Sequence, residues 1–557
     1  MTLNSLRWHD EINRIIRSKA ASCQRLSSSL PLLSLLFLML ASSGCTTIRK
    51  NYPRPQTVAW PKPEETSLGR KYAADQAAHP GQSGFSLLST GMDAFLARAY
   101  LADAAQRTID VQYYIVHGDL TGKLLMYHLL KAADRGVHVR LLLDDHHTGG
   151  RDFEMATFDA HPNIEVRLFN PYMGRHVVMV SRPVDFMVHP SRLNRRMHNK
   201  VFAVDNAAAI VGGRNIGDEY FEASEGMEFH DLDLLAFGPV VKQVSTCFDD
   251  YWNSEWAVPI GALRSSKPTP SDFADSCREL REFDEASRQT PYAIALRDSD
   301  FMNTLSREKS RLIWAPSQVF CDPPSKIAGL NKQYFIRYMH SQLEPIANRT
   351  EKELLLVSPY FVPGEEGMDY FHRLRSKGVR VRILSNSLAS NDSPIVHIGY
   401  TRYRKALVQS GVELYEYKPS AELIRRTKRK HARLSKWASL HTKAFVFDRR
   451  SVFVGSLNLD PRSLRLNTEM GLIVDSPELA EQVAGLFNDA VQPKNSYRIG
   501  LKEIPADPVH NLSARTIVVW HTFENGNPVQ YSFDPRAAWW RQFMTIFLSL
   551  VPLEDQI

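Results

Sequence analysis

The chain has 557 residues, a formal net charge of +7 and 43% hydrophobic residues. This is an ordinary globular composition, long enough for two domain-sized cores, and the mild basic excess is compatible with anionic lipid or with nucleic acid. Beyond the N-terminal region, the cysteines are Cys247, Cys277 and Cys321. Their odd number and wide spacing exclude a disulfide framework as the basis of the fold, and the sequence assigns no disulfide.

The N-terminal segment, residues 1–45, has the layout of a signal peptide. A long basic region precedes the uncharged apolar stretch Leu32–Leu40, and small residues then lead to Cys45. These small residues resemble a bacterial lipoprotein cleavage box, although Ser42 stands where such boxes prefer Leu. Cys45 is therefore a candidate lipid anchor. The alternative is an uncleaved N-terminal anchor, for which the apolar run is short against a span of about 20 residues; both readings place the protein at a membrane.

After a linker at 46–83, residues 84–258 show strand and helix patterns in alternation. Strand-like stretches at 110–118, 135–143 and 164–168 are separated by helix-like residues such as 123–134. This alternation predicts α/β units on a sheet that is covered on both faces.

This first half contains the pattern His198-x-Lys200, then Asp205, then Gly212-Gly213-x-Asn215. If residues 198–205 form a strand, its period of two sends His198 and Lys200 to one face and Asp205 to the other. An imidazole beside an ammonium suits a group that is both attacked and negatively charged, namely a phosphate. The opposite facing of Asp205 favours a role in a turn or a buried hydrogen bond over direct pairing with its own histidine.

Residues 259–330 have mixed charge and scattered proline, and we assign them to a linker with some helix. The second half, 331–500, repeats the plan of the first: 356–364 echoes 110–118, 377–385 echoes 135–143 and 412–416 echoes 164–168. The sequence therefore predicts two α/β halves related by a pseudo-twofold axis, with the active site between them.

The second half also repeats the phosphate motif, with the same spacing, as His441, Lys443, Asp448, Gly455-Ser456 and Asn458. Two histidines allow a division of labour: one attacks phosphorus to form a phosphohistidine, and the other protonates the leaving oxygen and deprotonates the incoming one. Lys200, Lys443, Asn215 and Asn458 then supply donors to the phosphate oxygens. This chemistry requires no metal and no cofactor, and the lysine beside each histidine disfavours a cation site.

The paired motifs resemble those of the phospholipase D superfamily, whose members carry two such motifs on a duplicated domain and react through a phosphohistidine. Within this superfamily, the sequence of residues 212–221 is similar to that of bacterial cardiolipin synthases, most closely their C group. The resemblance covers the chain from about Gly84 to the C terminus. It implies a duplicated phospholipase D fold, built of two α/β sandwich halves.

The resemblance also implies individual roles. It makes His198 the nucleophile and His441 the general acid and base, with Lys200, Asp205, Lys443 and Asp448 completing the catalytic motifs. Family members orient each histidine with an acidic residue that follows the glycine-rich turn. Glu469 matches this position in the second half and Asp231 in the first, where Asp233 is the competing choice.

Two basic stretches precede the motifs: Arg192, Arg195 and Arg196 before the first, and residues 425–433 before the second. They are either solvated surface or a means of attracting acidic headgroups, in which case Trp437 and Leu440 help to enter a lipid interface. In the C-terminal extension, 501–557, residues 539–548 predict a helix that either packs on the body or lies at a membrane interface.

Together these features predict a membrane-anchored phosphatidyltransferase of the bacterial cell envelope, a candidate lipoprotein, that makes cardiolipin from phosphatidylglycerol and a second phospholipid. Its expected partners are anionic phospholipids and the membrane surface; nucleic acid is disfavoured, and the sequence names no protein partner. The alternative is a phospholipase D or a nuclease-like phosphodiesterase with water as the acceptor, since the same catalytic residues serve both reactions.

Overall fold

The computed structural model describes residues 51–173, 175, 178–264, 267–301, 312–329, 338–420, 437–507, 510 and 513–548. The signal-like segment with Cys45 and the basic run 425–433 lie outside these residues. Within the described part of the chain, no helix combines the length and the apolar character needed to cross a bilayer.

The first half is built on a nine-stranded mixed sheet in the order β10-β1-β8-β6-β5-β2-β3-β4-β9, in which β2, β3 and β4 are parallel. The strands are β1 (Ser83–Leu88), β2 (Thr108–Tyr113), β3 (His138–Asp144), β4 (Ile164–Phe169), β5 (Val201–Val204), β6 (Ala208–Gly212), β7 (Met227–His230), β8 (Asp233–Phe237), β9 (Ala257–Pro259) and β10 (Ile313–Ala315). β7 lies outside this sheet.

Helices connect these strands, and short 3-10 turns occur at Pro63–Glu65, Asp145–His147, Asp218–Tyr220 and Ile260–Ala262. The helices are α1 (Ser67–Lys71), α2 (Ala73–Ala78), α3 (Gly91–Ala104), α4 (Leu120–Asp134), α5 (Asp152–Phe158), α6 (Val178–Val188), α7 (Pro190–Leu193), α8 (Pro239–Trp252), α9 (Pro270–Ser287) and α10 (Pro291–Arg297). Their starts follow ordinary capping chemistry: at α4 the Asp119 side chain accepts from the N–H of Gly122.

The second half is built on a ten-stranded sheet in the order β11-β18-β17-β16-β12-β13-β14-β19-β20-β21, in which β12, β13 and β14 are parallel. The strands are β11 (Ser317–Cys321), β12 (Glu353–Val357), β13 (Arg380–Asn386), β14 (Glu413–Tyr417), β15 (Trp437–Leu440), β16 (Ala444–Phe447), β17 (Ser451–Gly455), β18 (Met470–Asp475), β19 (Ser496–Ile504), β20 (Arg515–Glu524) and β21 (Asn527–Tyr531).

The helices of this half are α11 (Met339–Asn348), α12 (Gly364–Ser376), α13 (Pro394–Thr401), α14 (Arg404–Gln409), α15 (Pro461–Arg465), α16 (Pro477–Ala490) and α17 (Trp539–Leu548), with a 3-10 turn at Pro324–Ala328. The eight strands from β11 to β19 in the second sheet have the same order and directions as the eight from β1 to β9 in the first. The predicted duplication is therefore present in the topology.

Strand β11 shows that the expected linker boundary was wrong. The sequence assigned residues 259–330 to a linker without a repeat counterpart, but β10 extends the first sheet and β11 opens the second. β11 occupies the place that β1 holds in the first half. At the other end, β20 and β21 extend the second sheet into the region assigned to a C-terminal extension.

The two halves share a continuous apolar core. Buried side chains of α8, such as Phe248 and Tyr251, belong to the same cluster as Val483 and Phe487 of α16. β7 of the first half also pairs in parallel with β15 of the second as a separate two-stranded sheet. This shared core fixes the relative position of the motifs that the two halves carry.

A disulfide joins Cys247 of α8 to Cys321 at the end of β11. The sequence analysis assigned no disulfide, and that was wrong. The two cysteines are 74 residues apart and belong to different halves, so their spacing in the sequence did not indicate the pairing. Cys277 is free and buried. Beside the disulfide, the Tyr251 hydroxyl donates to the main-chain oxygen of Asp322 at 2.7 Å, so the same contact between halves is also hydrogen-bonded.

Residues Tyr172–Pro190 belong to a separate compact unit. Its described part contains α6, with Pro183 inside the helix. The Asp185 carboxylate accepts from the main-chain N–H of Met173 at 2.6 Å and lies 2.9 Å from Nδ1 of His189.

Candidate active site

The histidines are positioned by main-chain hydrogen bonds that cross between the halves. The N–H of His198 donates to the oxygen of Thr468 at 2.9 Å, and the N–H of His441 donates to the oxygen of His230 at 2.8 Å. Each histidine lies three residues before its strand, β5 or β16, which is therefore shorter than the strand expected from the sequence. Each imidazole is thus held against the segment that carries the acidic residue of the opposite half.

The acidic partners follow this crossed arrangement. Nδ1 of His198 lies 2.8 Å from one oxygen of Glu469 and 3.1 Å from the other. Nδ1 of His441 lies 2.5 Å from Oδ2 of Asp231. The structure thus selects Asp231 over Asp233, whose carboxylate pairs instead with Arg98 at 2.9 Å. In each pair Nδ1 faces the acid, which leaves Nε2 of both rings for chemistry.

The glycine-rich turns make room for these carboxylates. A Cβ at Gly213 would lie 2.2 Å from Oδ1 of Asp231, so only glycine allows that side chain its position. Ser456 takes the equivalent place in the second half, and its hydroxyl donates to Glu469 at 2.5 Å. The Gly/Ser difference between the motifs therefore reflects how each half supports its acid.

Both lysines are buried next to their histidines. Lys200 Nζ donates to the main-chain oxygen of His198 and Lys443 Nζ to that of His441, both at 2.5 Å. Burial lowers the pKa of Lys200 to about 7 and that of Lys443 to about 8, against the opposing pull of Glu469 and Asp231. These ammonium groups lack full compensation, so an anion in the site would be stabilised.

Burial favours the neutral form of both imidazoles. Burial lowers the pKa of His198 to about 4, with Glu469 opposing the shift and Lys200 reinforcing it. The pKa of His441 lies well below its usual value because of burial, with further lowering by both lysines and by His198. The effects of Lys443 on His198 and of His198 on His441 show that both motifs act within one electrostatic environment. Neutral imidazole is the nucleophilic form.

The two asparagines lie just after the glycine-rich turns and are buried. Asn215 Nδ2 donates to the hydroxyl of Tyr220 at 2.9 Å, while its Oδ1 accepts from the N–H of Ile115 at 3.3 Å. Asn458 Oδ1 is buried without a hydrogen-bond partner among the described residues. Their expected contact with phosphate stays a prediction.

Asp205 and Asp448 are not at the histidines, and their assignment as catalytic is corrected. Asp205 accepts from the N–H groups of residues 106–108, and Asp448 accepts in the same way from residues 351–353. Each begins a hairpin turn with a φ above +50°, a conformation in which aspartate is favoured among non-glycine residues. Both aspartates therefore have the turn role that the strand alternation predicted for Asp205.

Two aromatic rings at the site were not assigned from the sequence. The Tyr114 ring is 5.2 Å from that of His198, and the Tyr220 ring is 5.3 Å from that of His441, both edge-on. The recurrence of Tyr114 as Tyr360 in the repeat was a usable signal for the first. Tyr220 has no such signal, because its contact with His441 exists only across the assembled interface.

Of the basic and apolar residues that precede the motifs, some are exposed and others are buried. Arg196 is buried and donates to main-chain oxygens of Leu193 and Asn170, so it supports the fold and is not exposed to headgroups. Trp437 is 54% exposed, as expected of a residue that enters a lipid interface. Leu440 is buried, and that part of the expectation was wrong.

One group among the described residues has the spacing of a metal site: His117, Asp119 and Glu219. Asp119 already accepts from the N–H of Gly122 at 3.0 Å and that of Asp218 at 2.8 Å. Those bonds account for Asp119 as the cap of α4, and the two histidine–acid pairs do not involve this group.

Comparison with known proteins follows the same two halves. The family model described as "Cardiolipin synthase, PLD-like domain" matches twice, over residues 100–252 and 343–491. The chain is 39% identical to cardiolipin synthase C of Escherichia coli (strain K12), covering 86% of this chain and 96% of that protein. It is 25% identical to a cardiolipin synthase of Oceanobacillus iheyensis, covering 72% and 67% of the two chains.

A solved structure agrees at the level of the fold. The crystal structure of phosphatidylserine synthase from Haemophilus influenzae Rd KW20 superimposes with a TM-score of 0.52, covering 77% of this chain and 92% of that chain. The sequence identity is 15%, so this likeness describes the fold alone.

Proposed function

Because the chain belongs to the phospholipase D superfamily and is a phosphatidyltransferase of that type, we propose that it makes cardiolipin at a membrane. In this proposal phosphatidylglycerol and a second phospholipid react through a phosphohistidine intermediate. The observation that carries it is the pair of neutral imidazoles, each oriented by an acid from the opposite half and each beside a buried lysine.

In the first step, Nε2 of His198 attacks phosphorus. The new P–N bond replaces the bond from phosphorus to the headgroup oxygen, and His441 donates a proton to that oxygen as it leaves. Glu469 holds the His198 ring and stabilises the positive charge that develops on it. Lys200 and Lys443 neutralise the charge on the phosphate oxygens.

His441 must be protonated for this step, whereas burial and the lysines lower its pKa and so favour the neutral ring. A phosphodiester carries a negative charge and so raises the pKa of a neighbouring imidazole. Substrate binding therefore recruits the proton, and Asp231 holds the resulting imidazolium. In the second step a hydroxyl of phosphatidylglycerol loses its proton to His441, attacks phosphorus and releases His198.

The membrane location is supported by three features. Helix α17 exposes Trp539 at 80% and Phe543 at 62%, and it is fixed to the body by Arg541, which donates to the oxygens of Leu388 and Asn391. Exposed aromatic rings beside arginine are typical of helices at a bilayer interface. The lipoprotein-like segment ending at Cys45 supplies an anchor, and the disulfide is typical of proteins in an oxidising compartment such as the bacterial envelope.

The test supplies the purified enzyme with labelled phosphatidylglycerol in vesicles, with and without phosphatidylethanolamine. Labelled cardiolipin supports the proposal, and its dependence on phosphatidylethanolamine identifies the phosphatidyl donor. Phosphatidic acid as the sole product means that water is the acceptor and that the hydrolase alternative holds. Cleavage of oligonucleotides without lipid turnover would contradict both lipid reactions.

A further inference from the structure

A cavity of about 330 Å³ lies between the two halves, beside the segment that supports His441. Its apolar wall comes from both halves, including Leu232 of the first and Leu384, Val483 and Leu486 of the second. Its volume is at the lower end of the range for small-molecule sites.

The two halves differ at one equivalent position beside the cavity. Phe248 in α8 and Phe487 in α16 both lie in the shared core, and three residues later α8 has Tyr251 where α16 has Ala490. Tyr251 reaches across the interface to the main chain of Asp322. Ala490 lacks those atoms and lines the cavity instead. The first half thus fills a space that the second half leaves open.

One carboxyl group in the cavity lacks a partner. Glu228 of β7 lines the cavity and is 5% exposed, and its carboxyl has no hydrogen-bond partner among the described residues. A buried carboxyl without a partner is costly, so a native fold rarely keeps one without a use. Burial raises the pKa of Glu228 to about 8, with Glu222 adding to the shift.

The other charged groups of the lining leave the cavity acidic. Glu222, Asp231 and Asp489 contribute three more carboxyl groups. The described part of the lining has one arginine, Arg214. Its terminal nitrogens donate to the main-chain oxygens of residues 88, 89 and 231, and it pairs with Asp233 at 3.3 Å. Among the residues that the structure describes, no lysine lines the cavity. The site therefore offers acceptors and aliphatic walls to an occupant that brings positive charge.

We propose that this cavity is a binding site for a small organic ammonium ion, with the ammonium on Glu228 and the hydrocarbon part against the aliphatic walls. On binding, Glu228 gives its proton to solvent and its carboxylate pairs with the cation, while the hydrocarbon part removes apolar surface from water, so both parts of the ligand contribute. The cavity reaches Asp231 and Thr442 beside His441, but Glu228 itself holds neither histidine, and the proposal holds whether or not the lipid reaction is the one proposed above.

An occupant of this cavity lies close to the general acid. Phe229 follows Glu228 in β7, lines the cavity and has its ring 5.1 Å from that of His441. The next residue, His230, provides the main-chain oxygen that holds the N–H of His441. A ligand in the cavity therefore contacts β7, the strand that supports His441.

The test measures binding of n-butylammonium chloride to the purified full-length protein by isothermal titration calorimetry, without lipid. n-Butanol is the neutral counterpart of the probe. Glu228→Gln removes the charge at constant shape, and Ala490→Tyr introduces the ring that the first half carries at this position. Glu255→Gln, at an exposed position, is the matched control.

We expect n-butylammonium to bind to the wild type and to Glu255→Gln with equal affinity. Binding should be at least tenfold weaker in both Glu228→Gln and Ala490→Tyr, and n-butanol should bind at least tenfold more weakly than the ammonium. Unchanged affinity in Glu228→Gln, equal binding of n-butanol, or no binding to the wild type would each overturn the proposal. If Ala490→Tyr fails to fold, Glu228→Gln alone decides the outcome.

Discussion

Replacing Gly213 with alanine tests how the first half supports His441. The added Cβ would lie 2.2 Å from Oδ1 of Asp231 and 2.8 Å from its Cγ, both far below an ordinary contact. The carboxylate must move by about 1 Å to reach van der Waals separation. Since it holds His441 Nδ1 at 2.5 Å, that shift breaks the bond that orients the ring.

Hydrogen bonds to charged groups contribute about 1.5–3 kcal/mol. Because the Asp231 bond acts in the transition state, its loss corresponds to a decrease of roughly 10- to 150-fold in kcat. The Asp231 side chain can yield without moving the main chain, so the melting temperature should change little. The assay is cardiolipin or phosphatidic acid formation per enzyme, together with a thermal melt of the same sample.

The matched control is Ser456→Ala, at the equivalent position of the second half. That site already has a Cβ, so alanine removes only the hydroxyl that donates to Glu469. We expect a smaller loss there, of up to about tenfold. A Gly213→Ala enzyme with wild-type kcat, or one that loses activity only because it unfolds, would refute this reasoning.

Further predictions concern the turn, the lysines and the exposed helix. Asp205→Ala should lower the free energy of unfolding by about 1–3 kcal/mol, because buried main-chain N–H groups lose their acceptor. The kcat of the folded enzyme should be retained. Denaturant unfolding and an activity assay measure the two effects, and a loss of kcat at full stability would contradict the turn role. Because the pKa values of Lys200 and Lys443 are lowered to about 7 and about 8, their charged forms are lost as pH rises, so kcat/KM should fall between pH 7 and 9. A pH profile flat to pH 10 would reject charged lysines as phosphate ligands. The double variant Trp539→Ser, Phe543→Ser should bind anionic vesicles at least tenfold more weakly in co-sedimentation, with unchanged turnover of a short-chain soluble substrate; equal vesicle binding would exclude α17 as a contact with lipid.

The duplicated motifs carried most of what the sequence could predict. Equal spacing of His198, Lys200 and the glycine-rich turn with their counterparts requires equivalent strands, and the two sheets have the same strand order. The repeated segments that contain Tyr114 and Tyr360 likewise correspond to equivalent parallel strands in the two halves. These features are local, so a linear pattern is sufficient to find them.

What the sequence missed depends on contacts between the halves. Nothing in the linear spacing indicates that Glu469 holds the histidine of the first half and Asp231 that of the second, because this crossing arises only when the halves assemble. The pairing of Cys247 with Cys321 has the same origin. β11 was missed for a different reason: its five residues lack a clear alternation of buried and exposed positions.

The most direct test of two histidines acting on one phosphorus uses a phosphodiester with a p-nitrophenyl leaving group, which departs without a proton. In the His441→Ala enzyme, the first step then proceeds while the second lacks its base, so the phosphohistidine accumulates. Mass spectrometry of the digested protein should find the phosphoryl adduct on His198, and none in the His198→Ala enzyme. An adduct on another residue, or full lipid turnover in either single variant, would contradict the account.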